Sequence, residues 1–327
     1  MGKDALNWGL LSTARINRAV ITPLRGAGRS RLMAVASRET ERAKAYAREW
    51  NIPRAHGSYE ALLADREIDV IYNSLPNHMH AEWSIKALRA GKHVLCEKPL
   101  AISVDEVEAM EAAAKETGRV LVEAFMYRHH PQTARVQSLC AQGDLGKLQI
   151  IKGAFTFTLT RAGDIRLQKE LGSGSIWDVG CYPISYTRML AREEPVEVGG
   201  WQVLDDGGAD VTFAGQLRFP SGLIAQFDCG FASPPRAYME IVGSEGALYV
   251  PTPFKPGRRE SISLKRGEVT ETIVIDGGEL YSGEVEDMEG AILDGKVPRV
   301  SLTDSRGNVA AIVALIEAAR SRRVMPV

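Results

Sequence analysis

The sequence predicts an α/β protein in two parts: a doubly wound parallel sheet, then an α+β domain built on a large, open, mainly antiparallel sheet. Three observations carry this expectation. Over residues 1–125 short apolar runs alternate with longer amphipathic ones, the pattern of parallel strands flanked by helices. Beyond Pro131 that pattern gives way to long runs with strand alternation, punctuated by turns such as Pro220-Ser221-Gly222 and Arg266-Gly267. A length of 327 residues exceeds one ordinary core and suits two domains of common size.

In order along the chain, 6–11 predicts a first strand and 16–26 a helix. A second strand over 31–36 precedes a helix over 39–50, a brief strand at Ala55-His56 and a short helix over 59–64. The β-branched start of 70–75 suits a buried fourth strand. The helix over 80–90 is closed by Gly91, where a left-handed residue is favoured. A strand over 93–96, a helix over 104–117 and a sixth strand over 120–124 complete a Rossmann-type domain, whose ligand crevice lies at the carboxyl ends of its strands. In the second part a helix over 133–142 leads to strand runs at 148–159, 209–219, 223–231, 238–243, 246–250 and 261–275. A closing helix over 304–321 suits packing on either domain, and the carboxylate-rich stretch from Glu284 to Glu289 has the spacing of a solvated helix face.

Composition excludes several classes of function. A formal net charge of −1 supplies no field to hold a polyanion, so nucleic acid is not an expected partner. No apolar run approaches bilayer length and no signal-peptide core follows Met1-Gly2-Lys3-Asp4, which leads to a cytoplasmic reading. Cys96, Cys140, Cys181 and Cys229 are dispersed, without a C-x-x-C pair, as expected of packed reduced thiols. Of the histidines, His78, His80, His129 and His130 lack the spacing of a zinc site, so no metal is expected; His80 is read as capping or lining a crevice and His129-His130 as a surface or pocket edge.

The most informative short motif is Glu97-Lys98-Pro99, which follows the strand run His93-Val94-Leu95-Cys96. A lysine delivered by a strand end is aimed by the backbone, the more so if the Pro99 bond is cis. The first strand-to-helix turn, Ser12-Thr13-Ala14-Arg15-Ile16-Asn17, lacks the G-x-G-x-x-G/A fingerprint. Small residues at Ser12 and Ala14 still allow close approach of a pyrophosphate, and a helix starting near Arg15 offers free N–H groups and a positive dipole end. The second strand runs out into Ser37-Arg38, a hydroxyl and a guanidinium suited to the 2'-phosphate of NADP; Glu39 reaching a ribose would favour NAD(H) instead.

In the second part, Asp178-Val179-Gly180-Cys181-Tyr182 sets Asp178 and Tyr182 at i and i+4, on one face if helical. Pro183 is unwelcome beyond a first turn, so the helix is expected to start close to Asp178.

Together with Pro76-Asn77-His78-Met79-His80, these segments resemble the glucose-fructose oxidoreductase, inositol dehydrogenase and MocA family (Gfo/Idh/MocA) over nearly the whole chain. Within it they are most similar to the branch of dimeric dihydrodiol dehydrogenase, NADP-dependent xylose dehydrogenase and glucose-fructose oxidoreductase. The resemblance implies residues 1–125 as the dinucleotide-binding domain and 126–327 as the substrate-binding and oligomerisation domain. It implies catalytic roles for Lys98, Tyr182 and Asp178, with the nicotinamide beside the E-K-P loop. Ser12, Thr13, Ala14, Arg15, Ile16, Ser37, Arg38, Leu75, Pro76, Asn77, His80, Glu97, Lys98, Pro99 and the late Tyr281 are then expected at the cofactor, and Tyr127, Arg128, Arg166 and Trp177 at the substrate. Met126 departs from the tryptophan of the dihydrodiol enzyme.

The chemistry is coherent with that implication. Oxidising a hydroxyl carbon needs a base for the O–H proton while hydride leaves for the nicotinamide. A phenol of pKa about 10 is a poor base near neutrality, and a neighbouring ammonium favours its anion. The expected function is NADP-dependent hydride transfer at a hydroxyl or carbonyl carbon of a sugar or sugar derivative, with a trans-dihydrodiol dehydrogenase or a non-catalytic NADP-binding regulator as alternatives. Phe155, Phe157, Phe213, Phe219, Phe227 and Phe231 are read as supplying aromatic surface to both faces of the second sheet, and thus a homodimer or homotetramer through it.

Overall fold

The computed structural model describes residues 4–161 and 163–327. The chain divides into two compact units, Met1–Met126 with Tyr281–Arg306, and Tyr127–Leu280 with Gly307–Val327.

The first unit alternates strand and helix: β1 (Leu6–Leu10), α1 (Asn17–Gly26), β2 (Ser30–Ala36), α2 (Thr40–Glu49), β3 (Arg54–His56), α3 (Tyr59–Ala64), β4 (Val70–Asn73), α4 (His80–Arg89), β5 (His93–Glu97), α5 (Val104–Thr117) and β6 (Leu121–Ala124). All six strands run parallel in the order β3-β2-β1-β4-β5-β6. The order reverses between β1 and β4, which opens a crevice at their carboxyl ends. Trp8, Leu10, Val35, Ile71 and Val94 are fully buried between the helix layers, and the Trp8 indole N–H donates to Ser30 Oγ at 2.9 Å. Helices α3 and α5 start where a serine hydroxyl accepts an early amide: Ser58 Oγ from Ala61 N, and Ser103 Oγ from Glu106 N. Gly91 closes α4 with φ +82°, a conformation that costs glycine nothing.

The second unit contains α6 (Pro131–Ala141), β7 (Leu148–Thr158), α7 (Cys181–Ala191), β8 (Glu197–Leu204), β9 (Asp210–Arg218), β10 (Ile224–Gly230), β11 (Ala232–Gly243), β12 (Ala247–Val250), β13 (Arg259–Arg266) and β14 (Val269–Asp276). Next comes α8 (Ser282–Leu293), within the first unit, then α9 (Leu302–Ser321), whose later turns belong to the second, and β15 (Met325–Pro326). The nine strands lie in the order β14-β13-β12-β11-β7-β10-β9-β8-β15, antiparallel except where β10 pairs with β7. Gly153 on β7 lets α7 approach the sheet, since a Cβ there would come within 3.2 Å of Pro183 Cβ.

Two expectations change. The stretch Glu284 to Glu289 is helical but not a solvated face: Glu284 is 1% and Glu289 5% exposed, and Glu289 Oε1 accepts from Arg29 N (3.1 Å) and Ser30 Oγ (2.7 Å). Five of the six phenylalanines do not line an open face, because Phe155, Phe213, Phe219, Phe227 and Phe231 are buried and Phe157 alone of the six is half-buried; exposed residues of the sheet include Trp201, at 69% exposure, and Tyr249. Residues 261–275 form a hairpin, β13 and β14, that turns at the Arg266-Gly267 expected to punctuate the run.

Candidate active site

The turn after β1 is rigid without glycine. Ser12 and Ser74 hydroxyls lie 2.8 Å apart, Ser74 Oγ donates to Asn17 Oδ1 (2.7 Å), and Asn17 Nδ2 donates back to the Ser12 carbonyl (2.7 Å). This buried triangle ties the ends of β1 and β4 together at the switch point. Ser12 Oγ also accepts the Ala14 amide at 3.0 Å. The helix starts at Asn17 rather than near Arg15, and the Asn17, Arg18 and Ala19 amides turn inward to the carbonyls of Ala14, Arg15 and Ile16. Fewer amides therefore face a ligand than the sequence suggested. Arg15 is exposed, Thr13, Ala14 and Ile16 are half-buried, and positive charge at this turn comes from a side chain as well as from the helix end.

At the end of β2 Ser37 is buried, its Oγ accepting from Glu39 N at 3.3 Å, while Arg38 is exposed. Burial raises the Tyr59 phenol, and the guanidinium groups of Arg38 and Arg42 pull it the other way, which sets both cations close to that hydroxyl. Exposed arginines at the carboxyl ends of β1 and β2 are a donor set that fits the phosphates of NADP.

Lys98 sits half-buried on a loop whose backbone is held from several sides. The Lys98-Pro99 peptide is cis. Tyr72, fully buried on β4, donates to Glu97 Oε1, and Glu97 Oε2 accepts the Lys98 amide at 3.3 Å. Burial first, then the Glu97 charge, holds the Tyr72 phenol well above its usual range, so it remains a donor. Glu284 of α8 and Tyr281 just before that helix add to that shift, which brings Tyr281 near this loop within the first unit. Glu123 Oε1 accepts from Leu100 N at 2.9 Å.

His80 joins this loop to the segment after β4. It is 1% exposed, with Nδ1 2.8 Å from the Pro99 carbonyl and Nε2 2.7 Å from the Leu75 carbonyl. Burial lowers its pKa to about 4, outweighing the two carbonyls that raise it. A neutral imidazole has one N–H, so it donates to one carbonyl at a time. Both ring nitrogens are thus turned to protein, whereas Leu75 is buried and Pro76 and Asn77 are half-buried along the crevice.

In the second unit the segment expected as a helix from Asp178 starts earlier and wider. Ile176–Gly180 is a π-turn running straight into α7, a widened geometry common at functional sites. Asp178 Oδ2 accepts from Arg166 Nε at 2.7 Å, and Arg166 Nη1 lies 3.2 Å from Asp164 Oδ1. These two carboxylates raise the Arg166 guanidinium against the opposing effect of burial. Tyr182, 4% exposed, stands in an aromatic cluster: ring centroids lie 5.8 Å from Tyr127, 5.3 Å from Phe155 and 5.6 Å from Phe254. Trp177 is 7% exposed.

Two expected substrate residues fall elsewhere. Tyr127 has no exposed surface and its hydroxyl donates to Ser185 Oγ (2.9 Å), so it backs Tyr182 instead of facing a ligand. Arg128 is buried against the same hydroxyl, with Nη1 at 3.2 Å. His130 is no surface edge either: it is 3% exposed and its Nδ1 accepts from Gln132 N at 3.1 Å, capping α6. Sequence reasoning missed Tyr72, Glu123 and the Ser12–Asn17–Ser74 triangle; a polar residue inside an apolar strand run was the available signal for the first two.

Residues 6–125 match the family model described as "Oxidoreductase family, NAD-binding Rossmann fold", and residues 133–249 that described as "GFO/IDH/MocA C-terminal domain". The chain is 37% identical to a D-xylose 1-dehydrogenase (NADP(+)) of Haloferax volcanii over 319 residues, covering 96% of this chain and 97% of that one. Among solved structures it is similar to a 3-ketoreductase of Actinomadura kijaniata in complex with NADP and TDP-benzene (TM-score 0.91, 30% identity, 96% and 98% covered). It is also similar to an aldose-aldose oxidoreductase of Caulobacter crescentus complexed with glycerol (TM-score 0.92, 27% identity, 99% and 100% covered).

A pH dependence follows from His80. Its folded pKa of about 4 lies below the unfolded value near 6.5, so as pH falls the unfolded chain takes the proton first. The stabilisation is complete above the unfolded pKa and is lost progressively down to the folded one. His93, lowered to about 4 chiefly by burial, acts in the same direction. Between pH 6.5 and 5 the native chain should lose about 1–2 kcal/mol more stability in urea titrations than His80→Gln does. Parallel losses would contradict the assignment.

Proposed function

The chain belongs to the GFO/IDH/MocA family of oxidoreductases, and from that membership we propose that it transfers hydride between NADP(H) and a hydroxyl or carbonyl carbon of a sugar or sugar derivative. The observation that carries the proposal is Lys98 itself, held at the carboxyl end of β5 by Glu97, Tyr72, His80 and Glu123 side chains. The NADP dependence named for the xylose dehydrogenase and the exposed Arg38 after Ser37 both favour NADP over NAD.

Arg15 and Arg38 serve the phosphates, and Thr13, Ala14, Ile16, Pro76, Asn77 and Tyr281 line the cofactor. The nicotinamide, when bound, supplies the hydride chemistry. Tyr182 exchanges the proton of the reacting oxygen, and the Lys98 ammonium favours negative charge that develops on that oxygen. Asp178, fixed by Arg166, accepts a substrate hydroxyl; Arg166 and Trp177 contribute to the same pocket. Tyr127, Phe155 and Phe254 confine the Tyr182 ring.

The open face of the second sheet is proposed as a self-association surface, making a homodimer or homotetramer. Supporting this are exposed Trp201, the stacked Tyr238 and Tyr249 (6.0 Å), and a shallow cavity of about 300 Å³ bordered by Lys152, Trp201, Gln226 and Asp228.

Replacing Tyr182 by Phe should lower turnover on aldoses and keto-sugars by at least about a hundredfold while NADPH still binds, read as quenching of protein fluorescence. Unchanged turnover removes the phenol from the mechanism, and turnover confined to trans-diols moves the substrate class. Sedimentation at micromolar concentration should give a dimer or tetramer; a strict monomer refutes the association surface.

A further inference from the structure

Asp210 is a buried carboxylate that the proposed chemistry does not use. It opens β9 and is 6% exposed. Its Oδ2 accepts two donors from one short segment, the Ser175 hydroxyl and the Ile176 amide at 2.9 Å. Those donors stand at the beginning of the π-turn that carries Trp177 and Asp178 and continues into α7 with Tyr182. A helix start leaves several amides without intrahelical partners, and here a carboxylate from a neighbouring strand accepts one of them.

The surroundings are built around this contact. Gly174, at φ +128°, occupies backbone space where side chains are rare, and a Cβ on it would strike Asp210 Oδ1. Its carbonyl accepts the Asp178 amide at 3.0 Å. The β8–β9 register shifts between Val203 and Leu204, and Leu204 pairs with Asp210, so the ladder is irregular where this side chain leaves it. On the other side Cys229 Sγ lies 3.7 Å from Ser175 Oγ, and a Cβ at Gly180 would come within 2.9 Å of that sulfur. Burial pushes the Asp210 carboxyl up, and the bonds from Ser175 and Ile176 oppose it.

We infer that Asp210 is a positioning residue: by holding Ser175 and Ile176 it sets the start of the π-turn and so where Asp178 and Tyr182 stand. This rests on the reading of those two residues as parts of the reaction. Asp210 touches neither substrate nor cofactor; it acts through the helical segment. Deleting its carboxylate frees the first turn, and the effect falls on kcat more than on cofactor binding.

The test compares the full-length chain with Asp210→Ala, Asp210→Asn and Ser175→Ala. In Asp210→Ala, amide hydrogen exchange over residues 176–182 should speed up about tenfold while that of the first unit's strands is unchanged, with kcat lowered about tenfold and NADPH affinity kept within about twofold. Asp210→Asn, whose carboxamide oxygen still accepts both donors, should recover most of the loss. A merely structural role would spread faster exchange over the whole second unit, with no recovery by Asn, and would overturn the inference. So would unchanged exchange, or faster exchange at full kcat. Should Asp210→Ala fail to fold, Ser175→Ala decides: it removes one of the two donors and should raise exchange over 176–178 by about threefold, no change refuting the inference. If the native chain turns over no sugar or diol, the functional reading fails separately, and exchange alone then decides the positioning role.

Discussion

Everything attributed to this chain depends on a lysine being held still by groups buried beneath it. The loop from Glu97 to Leu100 has an amide on Glu97, a carbonyl on His80 and a further amide on Glu123, and Glu97 is in turn fixed by Tyr72. A neutral hydrogen bond of this kind contributes about 1 kcal/mol and one to a charged group about 1.5–3, so the set is of the size needed to offset the backbone entropy of a short loop. Removing one partner would leave a buried carboxylate or carbonyl unsatisfied, which costs more than the bond contributed. The rigidity is therefore cooperative. It also explains why His80, expected at the cofactor, has both ring nitrogens facing protein carbonyls.

The second unit solves the same problem with different material. Tyr182 is confined by aromatic rings at 5–6 Å, where edge and offset arrangements are favourable, and its helix is wide at the start. Asp178 is neutralised by Arg166, whose side chain remains 41% exposed, so the pair is partly screened by solvent and its net worth is small. Its value is orientation: the guanidinium holds Asp178 through Nε while Nη1 is anchored on Asp164.

Much of this was legible in the sequence because local signals agreed with tertiary ones. Helices α3 and α5 fall where the periodicity put them, since Ser58 and Ser103 mark their starts by capping chemistry. The E-K-P loop, Ser37-Arg38 and the Asp178 to Tyr182 spacing were visible as motifs. Strand β8 was not, because Gly199-Gly200 breaks its alternation. Burial of Glu284 and Glu289 was not either, as a carboxylate that accepts from Arg29 and Ser30 far away in sequence leaves no local trace. The same holds for Tyr127, an aromatic whose hydroxyl finds Ser185 inside the fold. The π-turn has no propensity signature; its start is met by Asp210, which accepts from Ser175 and Ile176 far along the chain.

The most direct measurement is single-turnover transfer of label from a C1-deuterated aldose to NADP+, followed by mass spectrometry of the NADPH formed. The account predicts deuterium on the nicotinamide with the native chain and none above background with Lys98→Met, although NADP+ still binds that variant. Equal transfer by Lys98→Met, or label lost to solvent in the native chain, would contradict hydride transfer assisted by this lysine.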